Sequence, residues 1–180
     1  MKHHFTATDV ALTSVFCAMY AVLNITLAPL SMAWFGLPVL CDFAVFFTLF
    51  LAVWATGRFG VASLVGIVGS PMTLLRGNNV NLGFAPAAVL FDFLLLLTRH
   101  KLEAKPYSLA VGALATAVSA YFAGVVIAVL FLNRSLDWAV TFWGVWHLIG
   151  GVIAIAVTLP VVSILEKTNV KAIRNGGKRH

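Results

Sequence analysis

The stretch PVLCDFAVFFTLFLAVWAT, residues 38–56, decides the fold class of this chain. It is predominantly apolar and contains a single charged residue, Asp42. Because hydrocarbon offers no partner to an unpaired backbone amide, an apolar run of about 20 residues is typical of a membrane-spanning helix. The run does not alternate between polar and apolar residues as a strand of a membrane barrel does. It therefore predicts a transmembrane α-helix.

Similar runs lie on both sides of this stretch and fill nearly the whole chain. The predicted spans are 9–27, 38–56, 59–75, 82–98, 107–132 and 139–165. A composition of 61% hydrophobic and 10% charged residues is too apolar for a water-soluble surface. The sequence therefore predicts an all-α integral membrane protein, in which residues 1–180 form one compact bundle of six transmembrane helices.

The cationic residues divide unequally between alternate breaks. Two of them, Arg76 and Arg134, lie on one side, and ten lie on the other: Lys2, Arg58, Arg99, Lys101, Lys105, Lys167, Lys171, Arg174, Lys178 and Arg179. The positive-inside rule then places both termini in the cytoplasm, in a multi-pass protein of the plasma membrane. We expect the basic tail, residues 166–180, to lie against anionic lipid. A folded basic surface interleaved with aromatic residues is absent, which argues against a nucleic-acid partner.

Two other features carry weaker signals. Residues 31–33 resemble a signal-peptide cleavage site, but the preceding run is long and begins with Asp9, so we interpret it as a retained helix. His3 and His4 have no further ligands near them, and no metal site or cofactor is predicted.

Two carboxylates inside the spans are candidate substrate-binding residues. Asp42 lies one turn into the second span, and Asp92 lies about 15 Å along the fourth at 1.5 Å per residue. An ionisable residue in a membrane is costly unless it faces a partner or a wet cavity, so it marks a site by default. Asp42 could instead reach water at the interface, and Asp92 could instead bond a neighbouring helix.

The break between the third and fourth spans is rich in amides. It contains Arg76, Asn78, Asn79 and Asn81. Amide donors and acceptors beside a fixed cation suit a small polar ligand, although Asn and Gly also make ordinary turns. The break at residues 28–37 has no charge, and its aromatic residues predict an apolar lid.

Aromatic residues lie near the start of the sixth span. The spacing of Trp143, Trp146 and His147 places them on neighbouring parts of one helical face, which continues into Gly150. Tryptophan near an interface is most often a membrane anchor. With a histidine beside them and a carboxylate nearby, the indoles also suit a flat heterocycle.

Small residues form a stripe on the first span at Ser14, Cys17, Ala18 and Ala21. Such stripes let helices approach closely in lipid, either inside the bundle or against another protein. We expect this stripe to be a docking surface for a partner.

Taken together, these features resemble the substrate-binding S component of an energy-coupling factor (ECF) transporter. The chain is short, has six predicted spans with both ends inside, and gathers polar groups at its outer half. The layout of residues 57–78, 90–92 and 98–101 is most similar to the thiamine-related branch, in which an acidic residue stands midway along the fourth helix. Residues 1–4 depart from the cobalt and nickel branch, where His follows Met directly.

The resemblance implies a subunit that captures a vitamin or precursor, such as thiamine or a related heterocycle, from outside. Uptake would need an ECF transmembrane scaffold subunit and two cytoplasmic ATPases, since the chain has no phosphate-binding loop of its own. The protein itself would not be an enzyme.

Two alternatives stay open. Ser70, and His147 followed by Gly150, are similar to the serine and histidine dyad of rhomboid intramembrane proteases. Against this, Pro71 follows the serine, which lies on the third helix instead of the fourth. The other alternative is a membrane assembly subunit that binds no ligand.

Overall fold

The computed structural model describes residues 5–77 and 79–168. Within these residues no strand occurs, and the helical segments are α1 (Ala7–Phe35), α2 (Val39–Thr56), α3 (Val61–Arg76), α4 (Val80–Thr98), α5 (Pro106–Phe131) and α6 (Leu136–Lys167). All except α3 are long and apolar enough to cross a membrane. The predicted all-helical class is confirmed, and five helices have the length and composition of membrane spans.

Helix α1 is longer than predicted. It begins with a capping box in which Asp9 N–H donates to Thr6 Oγ1 and Thr6 N–H donates to Asp9 Oδ2. It ends at Gly36, whose φ of 64° stops the helix. The predicted end at residue 27 is therefore wrong, and so is the apolar lid: Trp34 and Phe35 form the last turn of α1.

A proline inside α1 explains how the helix continues. Pro29 has no N–H to donate to the Ile25 carbonyl four residues earlier. The Arg76 guanidinium donates to that carbonyl instead. An unpaired carbonyl in an apolar medium costs several kcal/mol, so this bond supports the continuous helix.

Helix α2 is the centre of the bundle. It begins after Pro38 and ends before Gly57, close to the predicted 38–56, and it packs against α1, α3 and α6. Two-thirds of it is buried, against 28% for the best apolar window of α1. Its Phe46 ring contacts Phe84 and Phe91 of α4 at centroid distances of 6.5 and 6.1 Å. These three fully buried rings form the middle of the core.

Helix α3 is short and packs very closely against its neighbours. A Cβ atom on Gly66 would lie 2.2 Å from the Cβ atom of Ala88, so only glycine lets α3 approach α4 at this point. Its last turn, Thr73–Arg76, is a 3₁₀-helix.

Most of the described charged residues gather at one end of the bundle, here named the basic end. Glu166 closes this end, because its Oε1 accepts a hydrogen bond from the Trp54 indole (3.2 Å) and its Oε2 accepts one from Ala104 N–H (2.8 Å). Arg58 and Asp9 form an ion pair of 3.3 Å at the same end. The cations of the basic end are Arg58, Arg99, Lys101, Lys105 and Lys167.

Candidate functional site

A carboxylate and an imidazole are buried together between α2 and α6. Both carboxylate oxygens of Asp42 lie 2.9 Å from Nδ1 of His147. The two residues are 0% and 1% exposed. A carboxylate accepts hydrogen bonds, so this contact favours the tautomer with the hydrogen on Nδ1. The structure thus brings two of the predicted residues into direct contact.

The position of this pair along α2 fixes its place in the bundle. Asp42 is 14 residues before Thr56, where α2 reaches the basic end. At 1.5 Å per residue this separation is about 21 Å. The pair therefore lies in the half of the bundle opposite the basic end.

Two glycines make room for the pair. A Cβ atom on Gly150 would lie 2.7 Å from the Val39 carbonyl oxygen and 2.8 Å from the Cβ atom of Asp42. A Cβ atom on Gly124 of α5 would lie 2.8 Å from His147. A larger residue at position 150 would push α6 away from α2, and one at position 124 would push α5 away from α6. The glycines therefore place the imidazole against the carboxylate.

The pair lies beside hydrogen-bonding groups that no described residue uses. Nε2 of His147 and Nε1 of Trp143 are buried without a partner among the described residues. The two rings have centroids 5.7 Å apart and are tilted by 60°. In the tautomer with the hydrogen on Nδ1, His147 offers an acceptor at Nε2, while the indole N–H offers a donor. An unused buried polar group costs about 1–3 kcal/mol, so such groups point to a ligand or an ordered water.

Two π-helical turns present Trp143 to this site. One is Ile127–Phe131 at the end of α5, the other is Ala139–Trp143 near the start of α6, and the two are in contact. A π turn widens the helix and is frequent at functional sites. Tyr121 donates a hydrogen bond of 3.0 Å to the Val140 carbonyl inside the second turn. The indole is thus held by an irregular but bonded stretch of backbone.

The other aromatic side chains of α6 form a cluster further out. Trp138 stacks on Trp143 with centroids 5.4 Å apart, and Arg134 lies 5.5 Å above the Trp138 ring. Trp146 makes its ring contact with Phe142, edge-on at 6.4 Å. Trp138 therefore extends the site from Trp143 towards the surface, with a cation–π contact at its rim, whereas Trp146 makes no ring contact with Trp143 or His147 among the described residues.

The residues of the amide-rich break have different environments in the structure. Asn81 is buried, and its Nδ2 donates to Asn24 Oδ1 of α1 at 3.0 Å, while Asn24 Nδ2 has no partner among the described residues. Asn79 is exposed. Arg76 is bonded to the Ile25 carbonyl. Asn78, also predicted as a binding residue, lies outside the described residues. The structure thus assigns Arg76 and Asn81 contacts with α1 instead of contacts with Asp42.

Asp92 belongs to a second cluster at the basic end. Its Oδ2 accepts from the Ser63 N–H (3.0 Å) and the Ser63 hydroxyl (2.8 Å), so it caps the first turn of α3. His100 Nε2 lies 2.9 Å from the Asp92 carbonyl oxygen and 3.0 Å from Oδ1. Both atoms are acceptors, so Nε2 carries the hydrogen. The structure places Asp92 away from Asp42, in the helix-bonding role that the sequence left open.

The small-residue stripe of α1 is divided between two faces. Cys17 and Ala21 are buried inside the bundle, whereas Ser14 and Ala18 are exposed. Cys17 and Cys41 are both buried, free thiols. The predicted docking surface is corrected in part, because side chains turned into the bundle cannot meet a partner. Ser14 and Ala18 lie among exposed apolar residues such as Val15 and Val22.

Ser70 and His147 do not form a hydrogen bond. The Ser70 hydroxyl lies 2.9 Å from the Tyr20 hydroxyl, both being fully buried. Nε2 of His147 has no partner among the described residues. A serine nucleophile needs its base within about 2.6–3.2 Å, and the described geometry does not provide this contact.

The sequence reasoning missed Tyr20, Asn24 and His100. Tyr20 and Asn24 are four residues apart on the buried face of α1, and both are fully buried. Polar residues inside an apolar span were the available signal. No protein-family model, curated protein or solved structure matches this chain.

Proposed function

We propose that this chain is the substrate-binding membrane subunit of an ECF-type ABC importer, with a flat nitrogen heterocycle such as thiamine or its pyrimidine as substrate. The observation that carries the proposal is the buried Asp42–His147 pair with unused groups at His147 Nε2 and Trp143 Nε1. A nitrogen heterocycle that bears an amino group supplies one acceptor and one donor on one edge, and its flat face can stack on an indole.

The charge distribution supports the orientation that this function needs. The cations gather at the basic end, and the positive-inside rule assigns that end to the cytoplasm. The Asp42–His147 pair then lies in the outer half of a bundle of six spans, where an imported molecule is captured. In this proposal α3 completes the bundle as the sixth span, although it is short.

The exposed part of α1 supports a membrane partner. The face that contains Ser14 and Ala18 is apolar, and α1 is among the least buried of the long helices. In lipid, small residues on such a face let a second helix approach closely. The proposed partners are a scaffold subunit, which would dock here, and two cytoplasmic ATPases.

Ligand binding is tested with the purified protein in detergent. Small molecules that copurify are identified by mass spectrometry, and tryptophan fluorescence is followed while thiamine or its pyrimidine is added. We expect quenching, since Trp143 lies at the site. If neither compound changes the fluorescence and no heterocycle copurifies, the proposed substrate class is wrong.

Docking is tested with a matched pair of variants on α1. We expect Ala18→Leu, on the exposed face, to abolish ATP-driven uptake in the assembled transporter while binding to the isolated subunit remains. Ala21→Leu, on the buried face, should instead lower the thermal stability by overpacking the bundle. Equal loss of uptake and binding in Ala18→Leu would contradict the docking role.

A further inference from the structure

A surface cavity at the basic end is independent of the site described above. Its volume is about 260 Å³, and it lies between the end of α4 and the start of α5. Its apolar wall contains Leu97 and Tyr107, which are 65% and 66% exposed. Its polar wall contains three cations, Arg99, Lys101 and Lys105, and one carboxylate, Glu103. A cavity that is apolar on one side and cationic on the other is typical of a membrane–water boundary.

The turn that carries these cations is held by a buried anchor. Arg99 and His100 both have positive φ angles, of 52° and 58°, which is uncommon for residues other than glycine. The His100 ring is buried against Asp92 and lies 5.3 Å from the Phe59 ring. Because His100 points inward, its neighbours Arg99 and Lys101 stay exposed at the cavity.

The charges around the cavity favour an anion. Lys105 Nζ pairs with Glu103 Oε2 at 2.7 Å, and this hydrogen bond raises the pKa of Lys105 above its ordinary value. Glu166 also faces this loop, where it accepts a hydrogen bond from Ala104 N–H. Within the described residues, Arg99 and Lys101 form no ion pair with a carboxylate. Two cations therefore remain available at the cavity mouth.

Three hydrogen bonds, made by Tyr107 and Ser108, shape the walls of the cavity. The Tyr107 hydroxyl donates to the Leu97 carbonyl at 3.5 Å, which holds the ring across the apolar wall. The Ser108 hydroxyl donates to the Lys101 carbonyl at 2.6 Å and accepts from Glu103 N–H at 3.0 Å. The loop between α4 and α5 is thereby tied to the start of α5. The cations therefore project from a loop that these hydrogen bonds hold in place.

We propose that this cavity binds the headgroup phosphate of an anionic phospholipid, with Arg99 and Lys101 as its ligands and the acyl chains along Leu97 and Tyr107. Arginine binds phosphate oxygens in a bidentate manner, and lysine adds a point charge. The apolar wall favours a lipid over a free phosphate, because a soluble anion would leave Leu97 and Tyr107 uncovered. This inference does not depend on the importer function.

The test uses the full-length protein in nanodiscs and native mass spectrometry. Retention of phosphatidylglycerol is compared with retention of phosphatidylcholine for the wild type and for a variant that combines Arg99→Gln with Lys101→Gln. We expect the wild type to prefer phosphatidylglycerol. The variant should bind it at least about tenfold more weakly, because it loses two of the positive charges that attract an anionic headgroup. Arg134→Gln, which removes one charge at the opposite end and is the control for Lys101→Gln, should leave the preference unchanged.

Three results would overturn the proposal. The first is equal retention of both lipids by the wild type. The second is an undiminished preference in the double variant, or in Lys101→Gln alone if the double variant does not fold. The third is binding of inorganic phosphate, in phosphatidylcholine nanodiscs, with the same dependence on Arg99 and Lys101, which would identify a soluble phosphate as the ligand.

Discussion

The described part of the bundle contains two buried pairs of aspartate and histidine, and the pairs differ in the further contacts that each one makes. At the basic end, Asp92 caps α3 through two bonds from Ser63 and contacts His100. In the opposite half, Asp42 contacts His147, whose other ring nitrogen has no partner among the described residues.

The difference distinguishes a pair that stabilises the fold from a pair that can bind another molecule. A buried carboxylate that binds a helix N-terminus and an imidazole stabilises the fold, and its loss leaves several donors unpaired. An imidazole that keeps one nitrogen free beside an unpaired indole N–H has capacity left for another molecule. The residue types are the same, but their hydrogen-bond partners assign them different roles.

The largest expected effect is a loss of stability in Asp92→Ala. Removing the carboxylate leaves the Ser63 N–H and the Ser63 hydroxyl without their acceptor, and it removes the Oδ1 contact of His100, which keeps its bond to the Asp92 carbonyl oxygen. Breaking a buried pair in this way costs about 3–5 kcal/mol of the free energy of unfolding. Thermal unfolding in detergent measures it. The control is Asp137→Asn on the surface, and an unchanged melting temperature for Asp92→Ala would show that the cap contributes nothing.

The next effect is a loss of affinity in Asp42→Asn. The amide oxygen can still accept from Nδ1 of His147, so the hydrogen bond is kept and stability should fall less than in Asp92→Ala. Binding of a heterocycle should nevertheless weaken about ten- to a hundredfold, because a charge-assisted interaction is lost. Fluorescence titration and thermal unfolding are measured on the same sample. A large fall in melting temperature with unchanged affinity would make this pair structural, like the one at the basic end.

A smaller effect is expected in Trp143→Phe. The substitution keeps an aromatic ring and removes only the indole N–H, which no described residue accepts. Affinity should fall about tenfold, consistent with one hydrogen bond, while stability stays near the wild type. Trp146→Phe is the matched control, since its ring contact is with Phe142. If both variants bind equally well, the unused indole nitrogen is not part of the site.

The last prediction involves no change in stability. It tests on which side of the membrane each pair lies. Cysteine probes are placed at Asn79 and at Lys101, both exposed. In intact cells an impermeant thiol reagent should modify the first and spare the second. The wild type controls for background, because Cys17 and Cys41 are buried. The reverse labelling would place the Asp42–His147 pair on the cytoplasmic side.

The sequence predicted some parts of the site better than others. Asp42, Trp143 and His147 were predicted together because helical spacing and the cost of a charge in lipid are local properties. Asn81 and Arg76 were predicted as ligand-binding residues, but their partners on α1 are more than fifty residues away in sequence. Composition cannot show which helix a polar side chain will meet. The same limit explains why Tyr20 and Asn24 were missed.

The sequence by itself determined the helices, since an apolar run of sufficient length must pair its own backbone groups wherever water is absent. It also determined the separation of charge between the two ends, because the cations lie in alternate breaks. Only the tertiary structure decided which polar atoms remain unpaired. Gly124 and Gly150 set how closely α5 and α6 approach His147 and Asp42, and this approach fixes the contact between the pair. Such distances depend on how several helices pack at once, and no local pattern encodes them.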